Sequence, residues 1–149
     1  RRDALEREYV YKINFERNIS PLENRYYEHV NYHIDTKNLS AAYKLFVGIH
    51  DFLSFAGRLA PSDISTKREI RHISHIKNEK SIEFRIIGKS FLYQQVRRMI
   101  GSFLLCMKGK ITISQLSDMI NNPKKGSINL LPSSKGLYLS NIKYDGVKI

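Results

Sequence analysis

Cysteine and tryptophan are nearly absent: the 149 residues include one cysteine and no tryptophan. A single cysteine cannot form an internal disulfide, which excludes a disulfide-stapled secreted domain and favours a reducing intracellular compartment, whether cytoplasm, nucleus or mitochondrion. Cys106 lies in an apolar run at 103–107, so we expect a buried structural thiol and not a nucleophile. Long apolar stretches and a signal peptide are also missing, and we expect no membrane partner.

Acidic residues are scarce relative to basic ones. The chain has 14 Asp and Glu against 25 Lys and Arg, a net charge of +11 with histidine neutral. This excess favours a polyanion as partner, because each Lys or Arg that meets a phosphate releases condensed counterions. A basic surface kept only for solubility is the alternative. With 42% hydrophobic residues, the chain is expected to fold as one globular domain with its own core.

Metal-binding and nucleotide-binding patterns are missing too. His29 and His33 are four residues apart, but they lie in a loop-like segment, and neither a cysteine pair nor a second ligand pair completes a site. The Gly-Lys-Ser tripeptide at 88–90 is not a P-loop, since position 83, where a glycine is required, is Glu. We therefore expect no metal centre.

Alternation of apolar and polar residues predicts four strands. The segment 68–77 is ambiguous, because its isoleucines recur every three residues, but three β-branched residues in ten favour a strand. A hairpin through Asn78 joins it to the next strand. The predicted strands are 7–16, 68–77, 81–88 and 137–144.

Helical periodicity predicts three helices. The first is capped by Asp35 or Thr36 and ended by Gly48; its apolar positions are Leu39, Ala42, Tyr43, Phe46 and Val47. The second covers 91–107, and the third begins near Ser114. The order of elements predicts an α+β fold over residues 1–149, with a mostly antiparallel sheet and helices on one face.

Five segments together resemble the TruA family of tRNA pseudouridine synthases. The most diagnostic is 88–101, Gly-Lys-Ser-Phe-Leu-Tyr-Gln-Gln-Val-Arg-Arg-Met-Ile-Gly, where a turn and an aromatic residue precede a helix with a Val-Arg pair. The others follow the family's order with similar spacing over nearly the whole chain. They are Arg-Glu-Tyr-Val-Tyr at 7–11, His-Asp-Phe-Leu-Ser-Phe at 50–55, Lys-Arg-Glu-Ile-Arg at 67–71 and Gly-Leu-Tyr-Leu at 136–139.

The sequence departs from the family at its catalytic signature, a Gly-Arg-Thr-Asp segment whose aspartate performs the chemistry. The nearest match is Gly-Arg-Leu-Ala at 57–60, which lacks both the threonine and the aspartate; Asp63 lies further on, in a loop. Because the chain also begins at Arg1 without a methionine, we expect it to be the C-terminal half of a longer chain that carries the aspartate upstream.

The resemblance implies a pseudouridine synthase-like fold and a function: isomerisation of uridine to pseudouridine in tRNA, with the anticodon stem-loop as the expected target. The family uses one carboxylate, with no cofactor and no metal, and its members are homodimers with tRNA lying across both subunits. This chain would supply the substrate-binding half and be inactive in isolation.

Arg97 is the residue most expected to serve the reaction. It lies beside Val96 on the apolar stripe of the second helix, where a guanidinium is costly to desolvate without an anionic partner. The resemblance makes that partner the absent aspartate, which Arg97 would orient and keep ionised. The alternative is an arginine that extends along the helix flank to water. For Arg98 we expect that exposed position or a phosphate contact.

Two tyrosines and a leucine are candidates for the base pocket. Tyr9 resembles the family's active-site tyrosine, which lies against the target base, and such stacking contributes ~1–3 kcal/mol per base. Tyr11 shares its face of the strand, so either ring could instead belong to the core. Leu137 resembles the family's pocket leucine; without the resemblance it simply begins an apolar strand.

Further substrate contacts are predicted from charge and position. Phe91 begins the predicted helix, whose first amides could hold a phosphate together with Lys89, although this signal is weak. Arg7, Lys67 and Arg71 lie in the family-like segments and suit contacts to the RNA backbone. A solvated surface residue is the alternative for each.

Two other functions compete with a synthase. A non-catalytic α+β RNA-binding module fits the sequence literally, because no catalytic aspartate segment is present. A structural basic protein, such as a ribosomal component, explains the charge but not an arginine on an apolar stripe.

Overall fold

Six strands and three helices make up the part of the chain that the computed structural model describes, residues 4–58 and 63–144. The segment 59–62, which includes Pro61 of the predicted loop and half of the Gly-Arg-Leu-Ala match, lies outside these ranges. The strands are β1 (Ala4–Asn14), β2 (Glu28–His29), β3 (Gly48–Asp51), β4 (Lys67–Lys77), β5 (Ser81–Gly88) and β6 (Leu137–Tyr144). The helices are α1 (Leu39–Phe46), α2 (Gln95–Met107) and α3 (Ile113–Asn121).

The strands form one sheet in the order β2-β1-β5-β4-β3, with β6 on the same side of β1 as β2. Pairing is antiparallel except between β1 and β2, which meet over two residue pairs at the end of β1. The predicted hairpin of β4 and β5 is confirmed, with Asn78 accepting hydrogen bonds in its turn.

The sheet has one apolar and one polar face, as the alternation predicts. Tyr11, Phe84 and Ile86 are fully buried beneath the helices. On the opposite face, Lys12 pairs with Glu83 at 3.8 Å across neighbouring strands. Because polar residues cover the second face, the helices lie on one side only, and the predicted α+β fold with its mostly antiparallel sheet is confirmed.

Helix α2 begins four residues later than predicted. Phe91 does not begin the helix, because Gln94 adopts a left-handed conformation with φ of +61°. The buried side chain of Gln95 accepts a hydrogen bond from Leu92 N at 2.8 Å, so this backbone amide before the helix has a partner inside the protein. The expected helix start at Phe91 is therefore wrong, and the first amides of α2 do not lie at the position from which the phosphate site was predicted.

Helix α1 is also shorter than its sequence pattern. It begins at Leu39, and Asp35 accepts from Lys37 N in a separate turn at 3.0 Å, so neither Asp35 nor Thr36 caps it. Val47 was expected on the buried stripe but is 41% exposed, because the backbone becomes extended there before Gly48 at φ +111°.

The residues 128–132, here called the crossing segment, lie across α2. A Cβ placed on Gly101 would lie 2.3 Å from Leu130 O, so only glycine permits this approach. Arginines of α2 bind both ends of the segment: Arg98 donates to Ile128 O at 2.6 Å and Arg97 to Pro132 O at 2.8 Å. The crossing segment then leads through a short 3-10 helix, Ser134–Gly136, into β6.

Candidate active site

The register of β1 and β6 places the predicted pocket residues side by side. Tyr9 is opposite Leu139 and Tyr11 is opposite Leu137, and residues opposite each other in an antiparallel pair share a face. That face is the one covered by α2. Tyr11 is completely buried, whereas Tyr9 and Leu137 are half-buried, so of the two tyrosines Tyr9 is the one that presents its ring to a cleft.

This cleft has a volume of about 390 Å³ and is walled by both strands and by the turn before α2. The rings of Tyr9 and Phe91 meet edge to face with centroids 5.1 Å apart. Phe91 is therefore a wall of the cleft instead of a helix start. The lining residues are Arg7, Tyr9, Ser90, Phe91, Leu139, Ile142 and Tyr144.

Arg97 is half-buried on α2. Its Nε donates to Pro132 O at 2.8 Å, which fixes the side chain against the crossing segment. Its charge acts on Tyr11, where it opposes the rise in pKa that burial and Glu28 cause. Within residues 4–58 and 63–144, no carboxylate forms an ion pair with Arg97. Its guanidinium is thus held in place and still able to receive an anion.

Hydrogen bonds around Glu28, a residue that the sequence did not single out, support the start of β6. Tyr11 Oη donates to Ser133 O at 2.5 Å and to Glu28 Oε2 at 3.3 Å, and Ser133 N donates to the same Glu28 oxygen. Burial, followed by the charge of Glu28, raises the pKa of Tyr11 far above its ordinary range. Tyr11 is therefore a neutral donor that positions the turn before Leu137.

Arg98 is the clearest correction among the site residues. Of its two expected positions, extension to water is wrong, because Arg98 is only 9% exposed and more buried than Arg97. The reason is the crossing segment, whose Ile128 carbonyl covers it. Both arginines are held inward because each faces a different end of that segment. The expected phosphate contact of Arg98 stays a prediction.

The other predicted contacts are not all brought to the cleft. Arg7 lies in its wall and donates to Lys89 O at 2.9 Å. Lys67 is exposed at the start of β4, two strands away from β1. Arg71 binds Glu6 at 3.2 Å and Glu69 at 3.5 Å, and Glu6 alternates with Arg7, so Arg71 lies on the far face of the sheet.

The histidine and cysteine singled out in the sequence show no sign of a reactive role. His29 contacts Glu16 O at 2.7 Å through Nε2. Among the described residues, no group of three His, Cys, Asp or Glu could hold a metal ion. Burial raises the pKa of the Cys106 thiol to about 11, so at neutral pH it is a protonated thiol.

In the part of the chain that the structure describes, none of the helices has the length and apolar character needed to cross a bilayer.

The structure thus shows a cleft with an aromatic wall and, on α2, an arginine that forms no ion pair with any described carboxylate. Residues 42–145 match the family model described as tRNA pseudouridine synthase, and the chain belongs to that family. It is 36% identical over 140 residues to tRNA pseudouridine synthase A of Spiroplasma kunkelii, covering 93% of this chain and 54% of the relative. It is 37% identical over 131 residues to tRNA pseudouridine synthase A of Malacoplasma penetrans, covering 88% and 53%.

A third relative, tRNA pseudouridine synthase A 2 of Bacillus cereus, is 29% identical over 136 residues, with 91% of this chain and 55% of the relative covered. The chain therefore spans about half the length of the curated relatives that it matches.

Proposed function

We propose that this chain is the substrate-binding half of a tRNA pseudouridine synthase. The observation that carries the proposal is Arg97, which is anchored at Pro132 O and acts electrostatically on Tyr11 of β1, but forms no ion pair with a carboxylate of the described residues. The matched relatives are all about twice as long as this chain, which leaves room for a second half with the catalytic aspartate.

The proposed reaction needs a base pocket and one oriented carboxylate. Uracil is detached from C1′ and rejoined through carbon, so the product has the same atoms as the substrate. The target base must first leave its stack, which costs a few kcal/mol. In the cleft, Tyr9 would stack on that base, which returns part of this cost. Leu137 lies opposite Tyr11 in the same pair of strands, and Leu139 is the leucine of β6 that lines the cleft. Arg97 would bind the incoming aspartate through charge-assisted hydrogen bonds.

The finer aspects of the proposal concern the substrate and the assembly. We propose the anticodon stem-loop as the target and a homodimer as the assembly of the complete protein. The net charge of +11 supports a polyanionic partner that reaches well beyond the cleft itself.

The test of Arg97 uses the complete protein, with this chain joined to its upstream half. Arg97→Ala should lower kcat for pseudouridine formation in tRNA by at least 100-fold, because the aspartate loses its charged partner. Arg97→Lys keeps the charge but not the two-pronged geometry, and should recover part of the rate. Pseudouridine is quantified by chromatography of nuclease-digested tRNA. Parental turnover by Arg97→Ala would show that the role assigned to Arg97 is wrong.

A non-catalytic RNA-binding module is the second candidate. It is favoured by the lack of a carboxylate near Arg97 in the described part of the chain. The same experiment separates the two, because a binding module joined to its upstream half would bind tRNA without producing pseudouridine.

A further inference from the structure

A second cavity lies on another flank of α2. Consecutive helical residues point about 100° apart, so Arg97 and Arg98 project toward different surroundings. Arg98 lines a cavity of about 560 Å³, here called the basic cavity. Its wall includes Ala56, Arg58, Arg98, Lys125, Asn129 and Leu131.

Among the described residues that line it, the basic cavity has three cationic side chains and no carboxylate. None of the ion pairs formed by the described residues includes Arg58, Arg98 or Lys125. Burial lowers the pKa of Arg98, and the nearby charges of Arg58 and Arg97 lower it further. A buried guanidinium that faces other cations is costly, and an anion in the cavity would offset that cost.

The surroundings of Arg98 hold it rigidly. Its Nη1 donates to Ile128 O at 2.6 Å and its Nη2 to Gln94 Oε1 at 3.1 Å, while its Nε has no hydrogen-bond partner among the described residues. Gln94 is the one non-glycine residue in the described ranges with a positive φ. A left-handed residue of this kind costs of order 1–3 kcal/mol and persists where the surroundings over-determine it. Gly57 leaves room for the side chain of Gln94, since a Cβ there would lie 2.7 Å from Gln94 Oε1.

We propose that the basic cavity binds a phosphodiester of the RNA backbone. The inference rests on the proposed function and deepens it, since it adds an anchoring site for the same substrate. A phosphodiester supplies the negative charge that the cavity lacks, and Asn129 can donate to its oxygens. Contacts to phosphates fix the position of an RNA without reading its sequence. Because α2 bears both arginines, an RNA strand held at Arg98 is placed relative to Arg97.

The experiment measures tRNA affinity of the complete protein as a function of salt. Arg58 and Lys125 are exposed on the rim, so the double variant Arg58→Ala/Lys125→Ala removes two charges without disturbing the buried Arg98. Each lost phosphate contact should make the slope of log affinity against log salt shallower by about 0.9. The charge-matched control is Lys37→Ala/Lys44→Ala, which removes two exposed lysines, the first just before α1 and the second within it. Because the cavity holds one phosphate, the expected result is a slope shallower by up to about 0.9 in the first variant and an unchanged slope in the control.

Kinetics on the same variants separate this proposal from the proposed function. The rim variant should raise KM for tRNA more than it lowers kcat, because its residues do not reach the target base. If the complete parent protein makes no pseudouridine, the proposed function fails, while the salt slope still tests the cavity. An unchanged slope in the rim variant overturns the phosphodiester site. The site is also overturned if the rim variant loses thermal stability together with tRNA affinity. That outcome would indicate that a carboxylate of the protein itself occupies the cavity and pairs with its cations.

Discussion

Glu28 joins the two strands of the candidate site through a single carboxylate. One of its oxygens accepts from Tyr11 on β1 and from Ser133 just before β6. Hydrogen bonds to a charged group are stronger than neutral ones, about 1.5–3 kcal/mol each. The position of Leu137 therefore depends on a residue that never faces the cleft. In the sequence Glu28 is one acid in a tyrosine-rich segment, without a pattern that marks it.

His75 should make the stability of the protein depend on pH. Its Nδ1 is 2.8 Å from Tyr43 Oη beneath α1, and burial lowers its pKa below the ordinary value of 6.5. The unfolded chain then binds more protons than the folded chain at mildly acidic pH. The contribution of His75 is complete above pH 6.5 and is lost as the pH falls below it. We expect the free energy of unfolding in urea to decline between pH 7 and pH 5.

The matched variants for this prediction lie on the same strand. His75→Asn cannot titrate but keeps a polar atom near Tyr43, so its stability should depend less on pH over this range. His72→Asn changes an exposed histidine of β4 and should keep the parental dependence. Equal pH dependence in His75→Asn and the parent protein would show that His75 does not control this transition.

At the scale of elements, the approach of the crossing segment to α2 depends on Gly101. Alanine is normally the better helix residue by about 1 kcal/mol. Here, however, its Cβ would lie 2.3 Å from Leu130 O and 3.3 Å from Pro132 Cδ. Overpacking of this kind costs about 1–3 kcal/mol, so Gly101→Ala should destabilise the protein in urea unfolding.

Gly101→Ala should also loosen Arg97, because Pro132 is its anchor. Ser114→Ala, at an exposed position of α3, is the control and should change stability by less than about 0.5 kcal/mol. A Gly101→Ala variant as stable as the parent would mean that the crossing segment moves away from α2 at little cost.

The elements with a long apolar period were predictable from the sequence. The hairpin of β4 and β5, most of α2 and the whole of β6 follow their patterns closely. Two strands were missed, β2 with two residues and β3 with four, because such short segments do not complete a recognisable period. The start of α2 was misplaced because the apolar residues Phe91 and Leu92 continue its stripe, while the left-handed Gln94 interrupts its backbone.

The candidate site was predictable only where neighbours in sequence are neighbours in space. Tyr9 and Tyr11 were expected on one face, and they lie there. The relative burial of Arg97 and Arg98 was not predictable, since it is set by the crossing segment about 30 residues later. The pattern of a helix states which positions are apolar, but it does not state which distant backbone carbonyl covers an arginine beside them.

For the whole molecule, α2 carries two arginines that form no ion pair with a carboxylate of the described residues. Arg97 is anchored by the carbonyl of Pro132, and Arg98 is anchored by that of Ile128 at the basic cavity. The ion pairs that do form, such as Lys12 with Glu83, lie on the opposite face of the sheet or at its margins. Neither Arg97 nor Arg98 takes part in these ion pairs.

This arrangement predicts that the 149-residue chain alone forms no pseudouridine when incubated with tRNA. The sequence has no Gly-Arg-Thr-Asp segment, and Arg97 has no acidic partner among the described residues. Supplying the upstream half, joined or as a separate chain, should restore isomerisation, whereas the same half with its catalytic aspartate changed to asparagine should not. Chromatography of digested tRNA measures the product. Pseudouridine formed by the 149-residue chain alone would show that one of its own carboxylates, with Asp63 the first to examine, performs the chemistry.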